Sequence, residues 1–216
     1  MRVDIATEDV NSYMRALLDK HDEPVLLEME ELARQKDFPI INRHVGVTVE
    51  ILARAIGAQR VFELGSGYGY SAFWFARAVG LGGEVHCTDG DPQNAKKAQE
   101  FLSRANLWGR ITFHVGDALK SFNHVAGKWD IVYDDINKEE YPEAWKAACN
   151  RIRVGGLYIC DNVIAIASAK KLVTDNTRDE RIEAIRKHNK NVASDSRYLS
   201  SILPIREGLM VAYRLR

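Results

Sequence analysis

From Val61 onward the chain alternates short apolar runs with amphipathic stretches, and this rhythm restricts the fold more than any other feature. Val61–Leu64, Glu84–Thr88, Ile111–Val115, Asp130–Asp134 and Gly156–Cys160 read as strands. Ala72–Val79, Pro92–Ala105 and Glu139–Asn150 read as the helices between them. A strand reached through a helix lies parallel to its predecessor, and strands this apolar are buried on both faces. The tail breaks the pattern. A helix from Arg178 to Val192 is followed by strands Tyr198–Leu203 and Leu209–Leu215, with only Pro204–Gly208 between them. So short a link makes an antiparallel hairpin, because a parallel partner needs a crossover of about a dozen residues. The expected architecture is α/β: a doubly wound sheet of about seven strands whose last strand runs against the rest.

Upstream, Leu26, Leu27, Met29 and Leu32 precede a break at Pro39. Val45, Val49, Leu52, Ala53 and Ile56 then recur at helical spacing until Gly57. One domain is expected over residues 1–216, with helices in 1–58 and the α/β core in 59–216.

The first strand runs into Glu63-Leu-Gly65-Ser-Gly67-Tyr-Gly69-Tyr-Ser71. Glycines here let the backbone turn sharply and approach a ligand. The dinucleotide fingerprint wants a further glycine at the position of Tyr70, and no Gly-Lys-Ser/Thr follows, so neither a nicotinamide site nor a P-loop fits. Glu63 ends the strand where an anion site would not want a carboxylate and a ligand with a positive centre would. Asp89 ends the second strand, where an acid can take both hydroxyls of a ribose; Asp91 before Pro92 already serves as the helix cap. Asp117 ends the third strand and either borders an adenine or caps a helix. A positive centre, a ribose and an adenine together describe S-adenosylmethionine.

A second acidic group leaves the fourth and fifth strands: Asp134-Asp135-Ile-Asn-Lys138, then Asp161-Asn162. Carboxyl ends of neighbouring parallel strands share one rim, so Asp135, Asp161 and Asn162 can converge. Three hard oxygen donors suit Mg²⁺ or Ca²⁺, and no thiolate or imidazole stands among them for zinc. Asn137, with Glu140 three residues on, reads as a capping box.

With these residues in place the chain resembles the cation-dependent class I O-methyltransferases, the catechol and caffeoyl-coenzyme A group with its bacterial members. The similarity runs from about Asp22 to the C-terminus. It rests on Phe62–Ser71, on Asp135-x-x-Lys138-x-x-Tyr-Pro142, on Gly155-Gly-Leu with Asp161-Asn-Val163, and on Pro204 with Gly208-Leu. The resemblance implies a Rossmann-like methyltransferase fold and an enzyme that methylates a hydroxyl of a small molecule with vicinal oxygens, using Mg²⁺. It implies that Asp135, Asp161 and Asn162 ligate the metal and that Lys138 is the base. It also implies a cofactor site lined by Ile41, Glu63, Gly65, Ser71, Asp89, Asp117, Ala118 and Asp135, and a homodimer. One departure stands out: Ile164-Ala-Ile-Ala-Ser168 replaces the Leu-Trp-Ser-Gly common in relatives. A tryptophan wall for an aromatic acceptor is therefore not implied here.

Composition narrows the alternatives. With 30 Lys+Arg against 30 Asp+Glu, the chain carries no net charge to coat nucleic acid. Residues 170–190 do hold seven basic against four acidic side chains, which keeps a tRNA hydroxyuridine methyltransferase in view. A non-catalytic binding module on the same fold is the other alternative. The three cysteines lack C-x-x-C spacing, and no signal peptide or bilayer-length apolar run is present. A cytoplasmic protein is expected, with no membrane partner.

Overall fold

The computed structural model describes residues 8–18, 22–164, 172 and 179–216. Seven strands form one sheet: β1 (Arg60–Leu64), β2 (Glu84–Asp89), β3 (Ile111–Val115), β4 (Trp129–Asp134), β5 (Ile152–Cys160), β6 (Tyr198–Leu203) and β7 (Leu209–Arg214). Their spatial order is β3-β2-β1-β4-β5-β7-β6. β1 to β5 are mutually parallel, and β7 is antiparallel to both β5 and β6. The expected sheet, with its reversed last strand, is therefore the observed one.

The helices are α1 (Glu8–Ala16), α2 (Pro24–Lys36), α3 (Arg43–Ala55), α4 (Tyr70–Val79), α5 (Pro92–Arg104), α6 (Ala118–His124), α7 (Tyr141–Ala148) and α8 (Glu180–Ser194). Two apolar clusters lie on the two sides of the sheet. One joins Leu26, Met29, Val45, Val49, Phe73, Trp74 and Leu102 to Val61, Val85 and Ile131. The other joins Phe122, Tyr141, Trp145, Ile182, Ile185 and Val192 to Phe62, Val132 and Tyr158. Alternate residues of β1 thus enter opposite clusters, as the period of a strand requires.

Four elements differ from the sequence reading. α1 and α6 had no separate signal, α6 being a short helix behind its Asp117 cap. The helix expected over 139–150 is a 3-10 turn, Lys138–Glu140, followed by α7. The capping box does not form: Asn137 Nδ2 donates to Glu140 Oε2 at 3.2 Å instead of the side chain capping a backbone amide. β5 starts at Ile152, earlier than its apolar run, because Arg151 O accepts from Trp129 N and zips the strand to β4 across a register shift.

Strand order places β1 beside β4, although β2 and β3 lie on β1's other side. That reversal opens a crevice beyond the carboxyl ends of β1 and β4. Leu64 is in register with Asp134, and Asp134 with Cys160, so the three chain exits at 65, 135 and 161 stand side by side. Asp135 N donates to Leu64 O at 2.9 Å and Asp161 N to Asp134 O at 3.1 Å, carrying the ladder one residue past the strands.

Candidate active site

The glycine loop is pinned to β2. Ser66 N donates to Thr88 O at 2.7 Å, Gly65 N to Thr88 Oγ1 at 3.0 Å, and Thr88 N to Ser66 Oγ at 3.1 Å. Gly65 has φ +81°, and a Cβ there would come within 2.6 Å of the Asp135 carbonyl oxygen. Only glycine allows this loop to press against the chain leaving β4. Glu63 is fully buried, and neither carboxyl oxygen closes a hydrogen bond. Burial pushes its pKa up to about 7, an effect the Ser66 and Ser71 hydroxyls and the Cys87 thiol offset in part. An orphaned buried acid is costly unless a positive group arrives to meet it.

The other residues of this half fall around the loop. Ser71 is buried in the first turn of α4, and Ile41 is buried just before α3. Asp89 is half-buried at the end of β2, but it is not wholly free: its Oδ1 accepts from Asp91 N at 2.8 Å and Asn94 Nδ2 at 3.0 Å. Asp91 caps α5 through Gln93 N, as expected. Asp117 is exposed and caps α6, its Oδ1 accepting from Lys120 N at 2.7 Å, with Ala118 as the next residue. The capping role is thus real for Asp117, and one oxygen of Asp89 is used locally.

The second half gathers at the exits of β4 and β5. Lys138 Nζ lies 3.4 Å from Asp135 Oδ1, 2.9 Å from Asn162 Oδ1 and 2.5 Å from the Tyr141 hydroxyl. Tyr141 donates to Asp161 O at 2.8 Å. Asp161 is fully buried, and neither of its carboxyl oxygens has a hydrogen bond; Arg206 Nη1 stands 3.8 Å from Oδ2. Burial and the charge of Asp161 raise the pKa of Asp135, and burial raises that of Asp161. Asn162 has φ +56°, a backbone that asparagine tolerates better than most residues. Its Nδ2 donates to Glu207 Oε2 at 2.6 Å. The expected trio of Asp135, Asp161 and Asn162 is brought together around Lys138. A half-buried and a fully buried carboxyl group with an amide oxygen, gathered near the Lys138 nitrogen, are a donor set that fits a hard divalent cation.

Arg206 and Glu207 are neighbours that sequence reading missed, and Tyr141 stood in the quoted motif without a role. Arg206 and Glu207 come from the β6–β7 link, which is clamped to the Asn162 segment: Val163 N donates to Gly208 O at 3.0 Å and Ile164 N to Glu207 O at 2.9 Å. A Cβ on Gly208 would collide with Ile164 at 2.3 Å. Behind the site, the Tyr158 hydroxyl lies 2.6 Å from Asp134 Oδ2 and 3.0 Å from His188 Nε2. His188 Nδ1 meets Asn189 Oδ1 at 3.0 Å, and Asn189 Nδ2 donates to Val163 O at 2.8 Å. Burial lifts Asp134 to about 7 and depresses His188 to about 4. The departure at 164–168 lies, after Ile164, outside the described residues. So do Lys170, Lys171, Asp175 and Arg178 of the basic stretch; Arg181 and Arg186 pair with Glu139 and Glu183. Among the described residues no helix is long and apolar enough to cross a membrane.

Known proteins share this layout. The sequence profile described as O-methyltransferase matches residues 18–215. A catechol O-methyltransferase of Niastella koreensis is 28% identical over 202 residues, covering 91% of this chain and 90% of that protein. A catechol O-methyltransferase of Mycobacterium tuberculosis is 31% identical over 159 residues, covering 72% of each. The O-methyltransferase of Streptomyces achromogenes involved in tomaymycin synthesis, solved with S-adenosylmethionine, superposes with a TM-score of 0.88 at 24% identity over the whole of both chains. Seven strands in this order, the reversed β7, and a profile match over nearly the whole length agree: the chain belongs to the O-methyltransferase family, and it is an enzyme of that family by sequence and fold.

Proposed function

We propose that this enzyme transfers the methyl group of S-adenosylmethionine to a hydroxyl of a small acceptor with vicinal oxygens, in a reaction dependent on a divalent cation, Mg²⁺ by its donor set. The carrying observation is Asp161: a fully buried carboxyl group, without a hydrogen bond on either oxygen, beside Asp135 and Asn162. Such a group is tolerated when a cation completes it. The relatives named for catechol methylation support the acceptor class. The orphaned Glu63 and the tight turn at Gly65 support a cofactor with a positive centre.

Asp135, Asp161 and the Asn162 Oδ1 would hold the cation, whose chemistry is to lower the pKa of an acceptor hydroxyl. S-adenosylmethionine supplies an electrophilic methyl group on a sulfonium. This chain's own residues do the rest. Glu63 meets the positive amino end of the cofactor, and Asp89 takes the ribose with its remaining oxygen. Lys138 accepts the proton of the hydroxyl at Nζ, and Tyr141 holds that nitrogen in place. The oxygen then forms its bond to the methyl carbon as the carbon–sulfur bond breaks, its electron pair staying on sulfur. Glu207 keeps the Asn162 oxygen facing inward. Much of the acceleration comes from holding two reactants in line.

Calorimetry tests this reading. S-adenosylhomocysteine should bind without metal, and a vicinal diol such as catechol should bind only with Mg²⁺ present. Methyl transfer that persists in excess chelator would sink the metal assignment.

A further inference from the structure

Arg206 is placed beside Asp161 by a backbone that most residues avoid. Its φ is +51°, in the left-handed region that disfavours side chains other than glycine. The link that carries it is rigid, since Gly208 N closes on Ile205 O at 2.9 Å and the Val163 and Ile164 amides bind the carbonyls of Gly208 and Glu207. The side chain is 28% exposed, so a ligand can reach it.

Its bonding is incomplete in charge. Nη1 donates to the neutral carbonyl of Ile40 at 2.9 Å. The carboxylate it faces, Asp161 Oδ2, lies 3.8 Å away, too far for a hydrogen bond. Arg43, Arg77 and Arg197, by contrast, each close on a carboxylate directly: Arg43 on Glu30 at 2.6 Å, Arg77 on Glu23 at 2.6 Å and Arg197 on Asp195 at 2.6 Å. Once Asp161 serves a divalent cation, Arg206 becomes a like-charged neighbour of that cation. Lys138 adds a further basic group within 2.9 Å of Asn162. A neutral acceptor leaves this positive charge unanswered, whereas an anionic group on the acceptor answers it, and a guanidinium fork matches a carboxylate with two parallel hydrogen bonds.

We propose that Arg206 is a specificity residue that selects an acceptor carrying a carboxylate in addition to its vicinal oxygens. The proposal rests on the reading of the site as a cation-assisted O-methyltransferase centre and names the acceptor class within it. Arg206 acts on binding, while Asp135, Asp161, Asn162 and Lys138 serve the reacting oxygen.

The test compares catechol with 3,4-dihydroxybenzoate, by calorimetry with Mg²⁺ and S-adenosylhomocysteine and by initial rates with S-adenosylmethionine. The carboxylated diol should bind the unaltered protein at least tenfold more tightly. Arg206→Gln should weaken the carboxylated diol at least tenfold more than it weakens catechol, with the change in KM rather than kcat, and Arg206→Lys should keep part of the preference. Arg206→Gly, which suits the backbone, should fold with an undiminished melting temperature and show the same loss of preference. Equal affinity for the two diols, or an equal loss on both in the variants, overturns the proposal and leaves Arg206 as a strut for Ile40. If neither diol binds with Mg²⁺, the reading of the site itself fails and takes this proposal with it.

Discussion

The Nδ2 of Asn162 donates to Glu207 Oε2 at 2.6 Å, which turns the Asn162 Oδ1 toward Lys138 at 2.9 Å. An amide has one oxygen to offer, and this contact decides which way it points. Glu207→Ala should therefore lower divalent-cation affinity by about 10- to 100-fold, the usual effect of losing an outer partner of a metal ligand. Glu207→Gln, whose Oε1 still accepts, should stay close to the unaltered protein. Titration of Mg²⁺ against acceptor binding distinguishes the two.

Burial raises the pKa of both Asp135 and Asp161, and the charge of Asp161 raises that of Asp135 further, a conflict that a cation resolves. Asp135→Ala should cost about a hundredfold or more in kcat/KM, in line with several kcal/mol of lost charge stabilisation. S-adenosylhomocysteine binding should survive in part, because Gly65, Ser71 and Asp89 do not depend on that carboxylate. Rates and calorimetry on one preparation check both halves.

Glu63 gives a pH dependence with a definite sign. Its folded pKa is raised to about 7, so protonation is favoured in the fold. The destabilisation is absent below the ordinary carboxylate pKa, grows as pH rises from 4.5, and is complete above about 7, reaching about 3 kcal/mol. Glu63→Gln should raise the melting temperature of the cofactor-free protein at pH 8 and change it little at pH 5. Cofactor affinity should move the other way: it should rise with pH through 7 in the unaltered protein, and be weaker and flat in the variant.

His188 has the opposite character. Burial holds its folded pKa near 4, so the neutral ring is favoured. Above pH 6.5 nothing is lost; as pH falls from 6.5 toward 4 the unfolded chain gains a proton that the fold refuses. Stability should drop by about 2 kcal/mol between pH 7.5 and 5 from this group. In His188→Gln the same interval should show a shallower fall in thermal denaturation, whatever the variant's starting stability.

Much of this arrangement can be read before any coordinates. Apolar runs with helices between them give the parallel sheet, and the short Pro204–Gly208 link gives the reversed strand. The rim acids Glu63, Asp135 and Asp161 are visible because each interrupts an apolar run at its carboxyl end. Asp89 and Asp117 are harder, since a strand-end acid serves a helix cap and a ligand equally well, and here both also serve local turns. Arg206 and Glu207 were out of reach for a different reason. Glu207 meets Asn162 from 45 residues away, a contact made by tertiary folding and by no local pattern. The capping box at Asn137 failed because a 3-10 turn left its side chain to Glu140.

β7 lies between β5 and β6, yet it is the last of the seven strands to be synthesised. A nascent chain halted before Gly208 would already contain Asp135, Lys138, Asp161 and Asn162. It would lack Gly208 and the clamp on Val163, and β6 would have no neighbour to pair with. The candidate site therefore comes together only once β7 has been made, when that strand slides into a waiting slot. Until then the growing polypeptide holds these side chains and no place in which to assemble them.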